Sequence, residues 1–149
     1  MNYIFTSNSD LHVNFTDCIF DNIPQKNGLW LPENIPKVDI EQLKNKSFIE
    51  IAKIVLPKFI TDIPINDLNK IIEKSFNFEP KLHMLDENNF ICELFHGPTL
   101  AFKDFGASFM GNLYEYLAKE EINVITATSG DTGGAVASAF YAKKNIKVF

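Results

Sequence analysis

The 149-residue sequence has only two cysteines, Cys18 and Cys92, and they fall in no CxxC or other metal-ligand spacing. That argues against a disulfide framework and a cysteine-built metal centre, so no metal is expected. Both are expected to be reduced, buried thiols of an intracellular, cytoplasmic protein. Dense clusters of basic residues are also missing, and the formal charge is −5, so a nucleic-acid partner is not expected. An acidic excess of this size serves solubility. The opening Met1-Asn2-Tyr3-Ile4-Phe5 lacks a basic stretch and a long apolar run, so it does not read as a secretory leader. No uninterrupted apolar run approaches the roughly 18 residues that span a bilayer, and no membrane partner is expected. Internal repeats and low-complexity tracts are absent as well.

What remains is the composition of an ordinary globular protein, 46% apolar and 22% charged, which leaves disorder an unsuitable description of the whole. The length suits one modest domain, or a small domain followed by the start of a second. Pro24, Pro32, Pro36, Pro57 and Pro64 cut the first part into short pieces. Tyr3–Thr6 is expected as a short strand, Asn14–Asn22 as a helix, and Gly28–Pro32 as a strand and turn closed by proline. Phe48, Ile51, Ala52, Val55 and Phe59 form one helical stripe, which Pro57 should end or kink near its last turn. Leu68, Ile71, Ile72, Ser75 and Phe76 form a second, with Asn66 as N-cap.

Near Pro80 the pattern changes. Phe90–Phe95 reads as a strand, Asp104–Lys119 as a helix, Ile122–Ala127 as a buried strand, Thr132–Lys143 as a helix and Ile146–Phe149 as another strand. Strand and helix alternating at this spacing predict a parallel sheet with crossover helices. The expected fold is therefore α/β: a small, mostly helical domain over 1–80, then the beginning of a parallel-sheet domain over 81–149. The sequence stops within its last strand, so this second domain is expected to be truncated, and the 149 residues alone to be inactive and poorly folded.

Two glycine-bearing loops each open a helix at the end of a predicted strand, where open α/β sheets bind ligands. The first, His96–Gly106, carries Lys103 at the loop-to-helix junction between Phe102 and Phe105. The helix N-terminus and partial burial both favour the neutral amine, which Schiff-base chemistry with an aldehyde requires. A lysine snorkelling from a surface helix is the alternative. The second loop, Thr128–Gly134, exposes backbone N–H groups at a helix N-terminus and suits a carboxylate or phosphate. It lacks the Lys-Ser or Lys-Thr of a Walker A loop, and Ser129 or Asp131 serving only as a helix cap is its alternative. His12 and His83 read as surface or loop residues, and His96 as an organiser of its loop.

The run Glu93-Leu94-Phe95-His96-Gly97-Pro98-Thr99-Leu100-Ala101-Phe102-Lys103-Asp104-Phe105-Gly106 is similar to the cofactor-lysine segment of threonine synthases. Thr126-Ala127-Thr128-Ser129-Gly130-Asp131-Thr132-Gly133 resembles their second motif. The resemblance implies the fold of the tryptophan synthase β-subunit group and the cofactor pyridoxal 5′-phosphate (PLP), held by Lys103. It further implies that Thr128, Ser129, Gly130 and Thr132 bind the substrate carboxylate and that Asp131 lies near the PLP 3′ oxygen. The implied reaction converts O-phospho-L-homoserine and water to L-threonine and phosphate. The likeness is thinner early in the chain. Phe5-Thr6-Ser7-Asn8 replaces a Ser-Thr-Arg-Gly segment, Lys26-Asn27-Gly28 replaces Asp-Gly-Gly, and Gly134 stands where alanine or serine is common. Another PLP-dependent lyase or dehydratase of the same fold, and a non-catalytic truncated remnant, are the competing readings. The sequence does not set an oligomeric state.

Overall fold

A computed structural model describes residues 1–21, 28–128 and 130–149, which divide into two compact units, Met1–Asn69 and Lys70–Phe149. In the first unit, β1 (Tyr3–Phe5) lies between β2 (Asn8–Val13) and β3 (Trp30–Pro32), antiparallel to both. Tyr3 and Phe5 turn inward and are buried. Phe5 packs on Trp30 at 5.2 Å and Tyr3 on Phe15 at 5.7 Å between ring centroids. Gly28 is required here, because a Cβ would stand 2.4 Å from the Phe5 ring. Pro32 sits on an edge strand, where its missing N–H costs no ladder bond. Burial first, then the charge of Asp62 on Cys18 and the proximity of Cys18 to Tyr3, push the Cys18 thiol up to about 11 and the Tyr3 hydroxyl up to about 12.

β2 is a strand the sequence did not announce, since five of its six residues are exposed and no apolar alternation marks it. Conversely, α1 is a single turn, Phe15–Cys18, in place of a helix over Asn14–Asn22, whose last residue lies outside the described residues. One turn offers too few i to i−4 bonds to propagate. Helix α2 (Phe48–Phe59) is placed by a capping box: the Ser47 hydroxyl accepts the Glu50 N–H, and the Glu50 carboxylate accepts the Ser47 N–H at 2.8 Å. It ends two residues beyond Pro57, as the proline implies. In α3 (Ile65–Ser75) the carbonyl of Pro64 accepts the Leu68 N–H, so Asn66 lies in the first turn and is not the cap. Pro64 needs no N–H partner and takes that place at no cost.

In the second unit, β4 (Lys81–Met84) and β5 (Phe90–Glu93) form an antiparallel hairpin, with Asp86 and Asn89 organising the turn. This hairpin corrects the expected run of parallel strands, because β5 pairs with β4 and not with the strands that follow. It also exposes Cys92, which was expected to be buried; all of β4 and most of β5 face solvent. Then come α4 (Lys103–Leu117), β6 (Ile122–Val124), α5 (Asp131–Phe140) and β7 (Ile146–Val148), with β6 and β7 pairing in parallel. β6 is shorter and less covered than expected of Ile122–Ala127, and Ile125 is 81% exposed.

The core of this unit lies between α4 and α5. Leu113, Tyr114, Ala135, Val136 and Phe140 are buried there, and Tyr114 meets Phe140 edge-on at 5.8 Å. Phe76 stacks on Phe109 at 6.0 Å, and Phe78 packs on Phe105 at 4.8 Å. Buried Asn112 joins a polar chain: its amide donates to the Ser75 hydroxyl at 3.1 Å, and its carbonyl accepts the Lys143 ammonium at 2.6 Å. Burial pushes the neighbouring Glu115 carboxyl up, yet the Lys144 N–H and the Lys143 ammonium outweigh it, and the group titrates below its ordinary 4.5. A lowered folded-state value adds stability above that pH, and the contribution fades as pH falls through the folded value. Urea titrations should therefore show Glu115→Gln less stable than the parent at pH 7. The gap should close below pH 4.5; a gap that persists at acid pH would contradict this.

Candidate active site

The two motif loops lead into the two helices that pack on each other, and this brings their chemistry together. Lys103 is the first residue of α4 and Thr132 the second of α5. Both line one cleft of about 420 Å³, with Phe102, Gly106, Ala107 and Met110 from the α4 side and Ala135 and Val136 from α5. Lys103 is half-buried, and its Nζ stands 4.1 Å from the Phe102 ring centroid, within cation–π range. Small residues on both helices keep the cleft open.

Close helix packing is what sets this width. At Gly111 a Cβ would fall 2.6 Å from the backbone oxygen of Ala139 on α5. On the second loop, the Gly130 N–H donates to the Thr128 hydroxyl at 3.3 Å, and a Cβ on Gly133 would strike the Thr128 methyl at 2.2 Å. The Gly130 carbonyl accepts the Gly134 N–H, so Gly130 caps α5. Gly130 holds the cap position and Asp131 is already the first residue of the helix, which corrects the alternative in which Asp131 served as cap. Thr128, Gly130 and Asp131 are exposed at the loop and line no part of the Lys103 cleft. Ser129 lies outside the described residues.

Sequence reasoning missed Asp104. It reads as one more residue of an amphipathic helix, but it is 3% exposed and its two carboxylate oxygens accept the Thr99 N–H at 2.8 Å and the Thr99 hydroxyl at 2.6 Å. Its place directly after the loop lysine was the only signal available. His96 bonds Glu93 at 2.8 Å and packs beside Phe95, as expected of a loop organiser. His12 pairs loosely with Glu33 at 3.8 Å, and His83 lies exposed on β4. Among the described residues no cluster of His, Cys, Asp and Glu could hold a metal ion, and no helix is long and apolar enough to cross a membrane.

These features define a mixed α/β chain with a lysine-bearing cleft at the meeting of two loop-to-helix junctions. Residues 2–76 match the family model described as threonine synthase N terminus. A threonine synthase of Buchnera aphidicola subsp. Schizaphis graminum is 43% identical over 148 residues, covering 95% of this chain and 34% of the relative. That of Escherichia coli is 36% identical over 141 residues, covering 91% and 33%. A PLP-bound threonine synthase structure from Brucella melitensis superposes with a TM-score of 0.91 at 34% identity, covering 99% of this chain and 34% of that one. The Escherichia coli structure gives 0.91, with 34% identity and 99% and 36% coverage. The chain belongs to the threonine synthase family, and it spans about a third of the length of the curated relatives it matches.

Proposed function

We propose that this chain supplies one part of a threonine synthase active site, in which O-phospho-L-homoserine and water give L-threonine and phosphate. The observation that carries the reading is the cleft shared by Lys103 and Thr132, one residue from each motif. In the same reading, 1–80 form the N-terminal domain and 81–149 begin the α/β domain that binds PLP. The parallel pairing of β6 with β7 supports this. Two unpaired thiols suit a reducing compartment, and a cytoplasmic setting is part of the reading.

The cleft fits PLP. Its volume lies within the range of about 300–1,000 Å³ common for small-molecule sites, its walls are apolar, and it holds a primary amine. When bound, PLP supplies an electron sink conjugated to the carbon that carries the substrate amine. Lys103 is the residue that would hold it. Once substrate is bound, the Lys103 amine moves protons at the substrate Cα and Cβ. Phosphate leaves from Cγ and water adds at Cβ. In this reading the loop leading into α5 would bind the substrate carboxylate through Thr128, Ser129, Gly130 and Thr132. Asp131 would lie near the 3′ oxygen of the bound cofactor.

Product analysis tests the reading. A full-length protein carrying this segment should release phosphate and threonine in equal amounts from O-phospho-L-homoserine. Formation of 2-oxobutanoate and ammonia in place of threonine would instead favour a dehydratase of the same fold. A second test bears on Asp131. Since Asp131 is exposed and lies past the cap position held by Gly130, Asp131→Ala should change stability by no more than about 0.5 kcal/mol, as for an ordinary surface substitution. It should still move the absorption of the bound cofactor or its pH dependence. Unaltered absorption with unaltered turnover would remove Asp131 from the site.

A further inference from the structure

We infer that Asp104 is a positioning residue, whose carboxylate clasps the loop before Lys103 and thereby sets where the lysine amine stands. The inference rests on the function proposed for Lys103. The loop from Gly97 to Phe102 carries an unfavourable conformation, with Leu100 at φ 59° in the left-handed region. Non-glycine residues stay there only where the surroundings over-determine them.

Asp104 supplies much of that constraint. Both of its oxygens are taken by Thr99, one by the backbone N–H and one by the hydroxyl, across five residues of chain. The loop backbone lies directly on this carboxylate, since a Cβ on Gly97 would fall 2.5 Å from Asp104 Oδ2 and 2.7 Å from Asp104 Cβ. The turn closes with the Leu100 N–H on the Gly97 carbonyl at 3.2 Å and the Asp104 N–H on the Ala101 carbonyl at 3.0 Å. At 3% exposure the clasp is shielded from water, where a charge-assisted pair of hydrogen bonds holds its geometry best.

Asp104 faces away from the Lys103 cleft. It borders a separate cavity of about 200 Å³ with Ser108 and Asn112 and is absent from the lysine's surroundings. Its effect on Lys103 therefore passes through the backbone. Releasing the clasp frees the left-handed turn, and the first residue of α4 loses its fixed approach to the cleft. Misplacing a reacting group by about 1 Å costs on the order of 10²-fold in rate.

The test uses a full-length threonine synthase carrying this segment, stripped of cofactor. PLP is added, the imine is trapped with borohydride at timed intervals, and the Lys103 peptide is quantified. Steady-state kcat and KM for O-phospho-L-homoserine are measured alongside. Asp104→Ala should slow labelling of Lys103 and lower kcat, each by on the order of 10²-fold, while KM moves far less. Asp104→Asn should recover most of both rates, because an amide can accept the Thr99 N–H and donate to the Thr99 hydroxyl. Thr99→Val removes one donor without disturbing volume and should lower both rates together. If Asp104→Ala does not fold, Thr99→Val decides the question. Parental labelling and kcat in the folded variant would overturn the positioning role alone. Trapped label on a lysine other than Lys103 in the parent would overturn the proposed site as well, and the two failures are thereby told apart.

Discussion

Lys103→Ala in a full-length threonine synthase carrying this segment should lower turnover by at least about 10³-fold, within the span attributed to a positioned proton-transfer group alone. Lys103 stands on the wall of the cleft that also holds Thr132, and among the described residues it is the only ionisable side chain lining that cleft. In the function proposed for Lys103, alanine removes both the amine that would hold the cofactor and the group that would move protons. Lys103→Arg should not restore the rate. A guanidinium keeps the positive charge but stays protonated and cannot form an imine. The fold should survive either change, because the Lys103 side chain is half-buried at a helix end and its main contact is the exposed Phe102 ring. Stability measured by urea should accordingly differ little from the parent. A variant with substantial turnover would remove Lys103 from the chemistry.

Gly111→Val should be the most damaging of the packing substitutions. The nearest atoms to a Cβ at this position are the Ala139 oxygen at 2.6 Å and carbonyl carbon at 3.1 Å, both backbone of α5. Backbone cannot rotate aside as a side chain can, so α4 and α5 must separate. Overpacking of this kind costs about 1–3 kcal/mol, and valine adds the poorer helix propensity of a branched side chain. The expected loss is about 3 kcal/mol in urea unfolding. Turnover should fall with it, because the same helix pair brings Lys103 and Thr132 to one cleft. Gly134→Ala is the control. Nothing lies within 4 Å of a Cβ there, so alanine should gain roughly 0.5–1 kcal/mol. Equal stability for Gly111→Val and the parent would show that the two helices do not depend on this contact.

The residues of the two motifs and the stripes of α2 and α3 were legible because they are local. Phe48 to Phe59 repeats at helical spacing. Lys103 could be singled out because its loop, its helix and its aromatic neighbours are contiguous. Features made by distant partners were not legible. Polar β2 is a strand only because β1 accepts it, and β4 because β5 folds back on it. Asn112 is buried because Ser75 and Lys143, far away in sequence, satisfy its amide. Asp104 lies between these cases. Its partner Thr99 is near, yet nothing in the residue types distinguishes a buried clasp from a solvated helix start. Asp131 shows the reverse case: an acid before a helix suggests a cap as an alternative role, and here the backbone of Gly130 takes that place.

The central claim, that Lys103 carries PLP, is tested most directly by reducing the full-length holoenzyme with borohydride and mapping the pyridoxyl label by peptide. The expected result is stoichiometric label on Lys103, lost in Lys103→Ala. Label on Lys119, on Lys143 or on a residue outside this segment, with Lys103 unmodified, would contradict it.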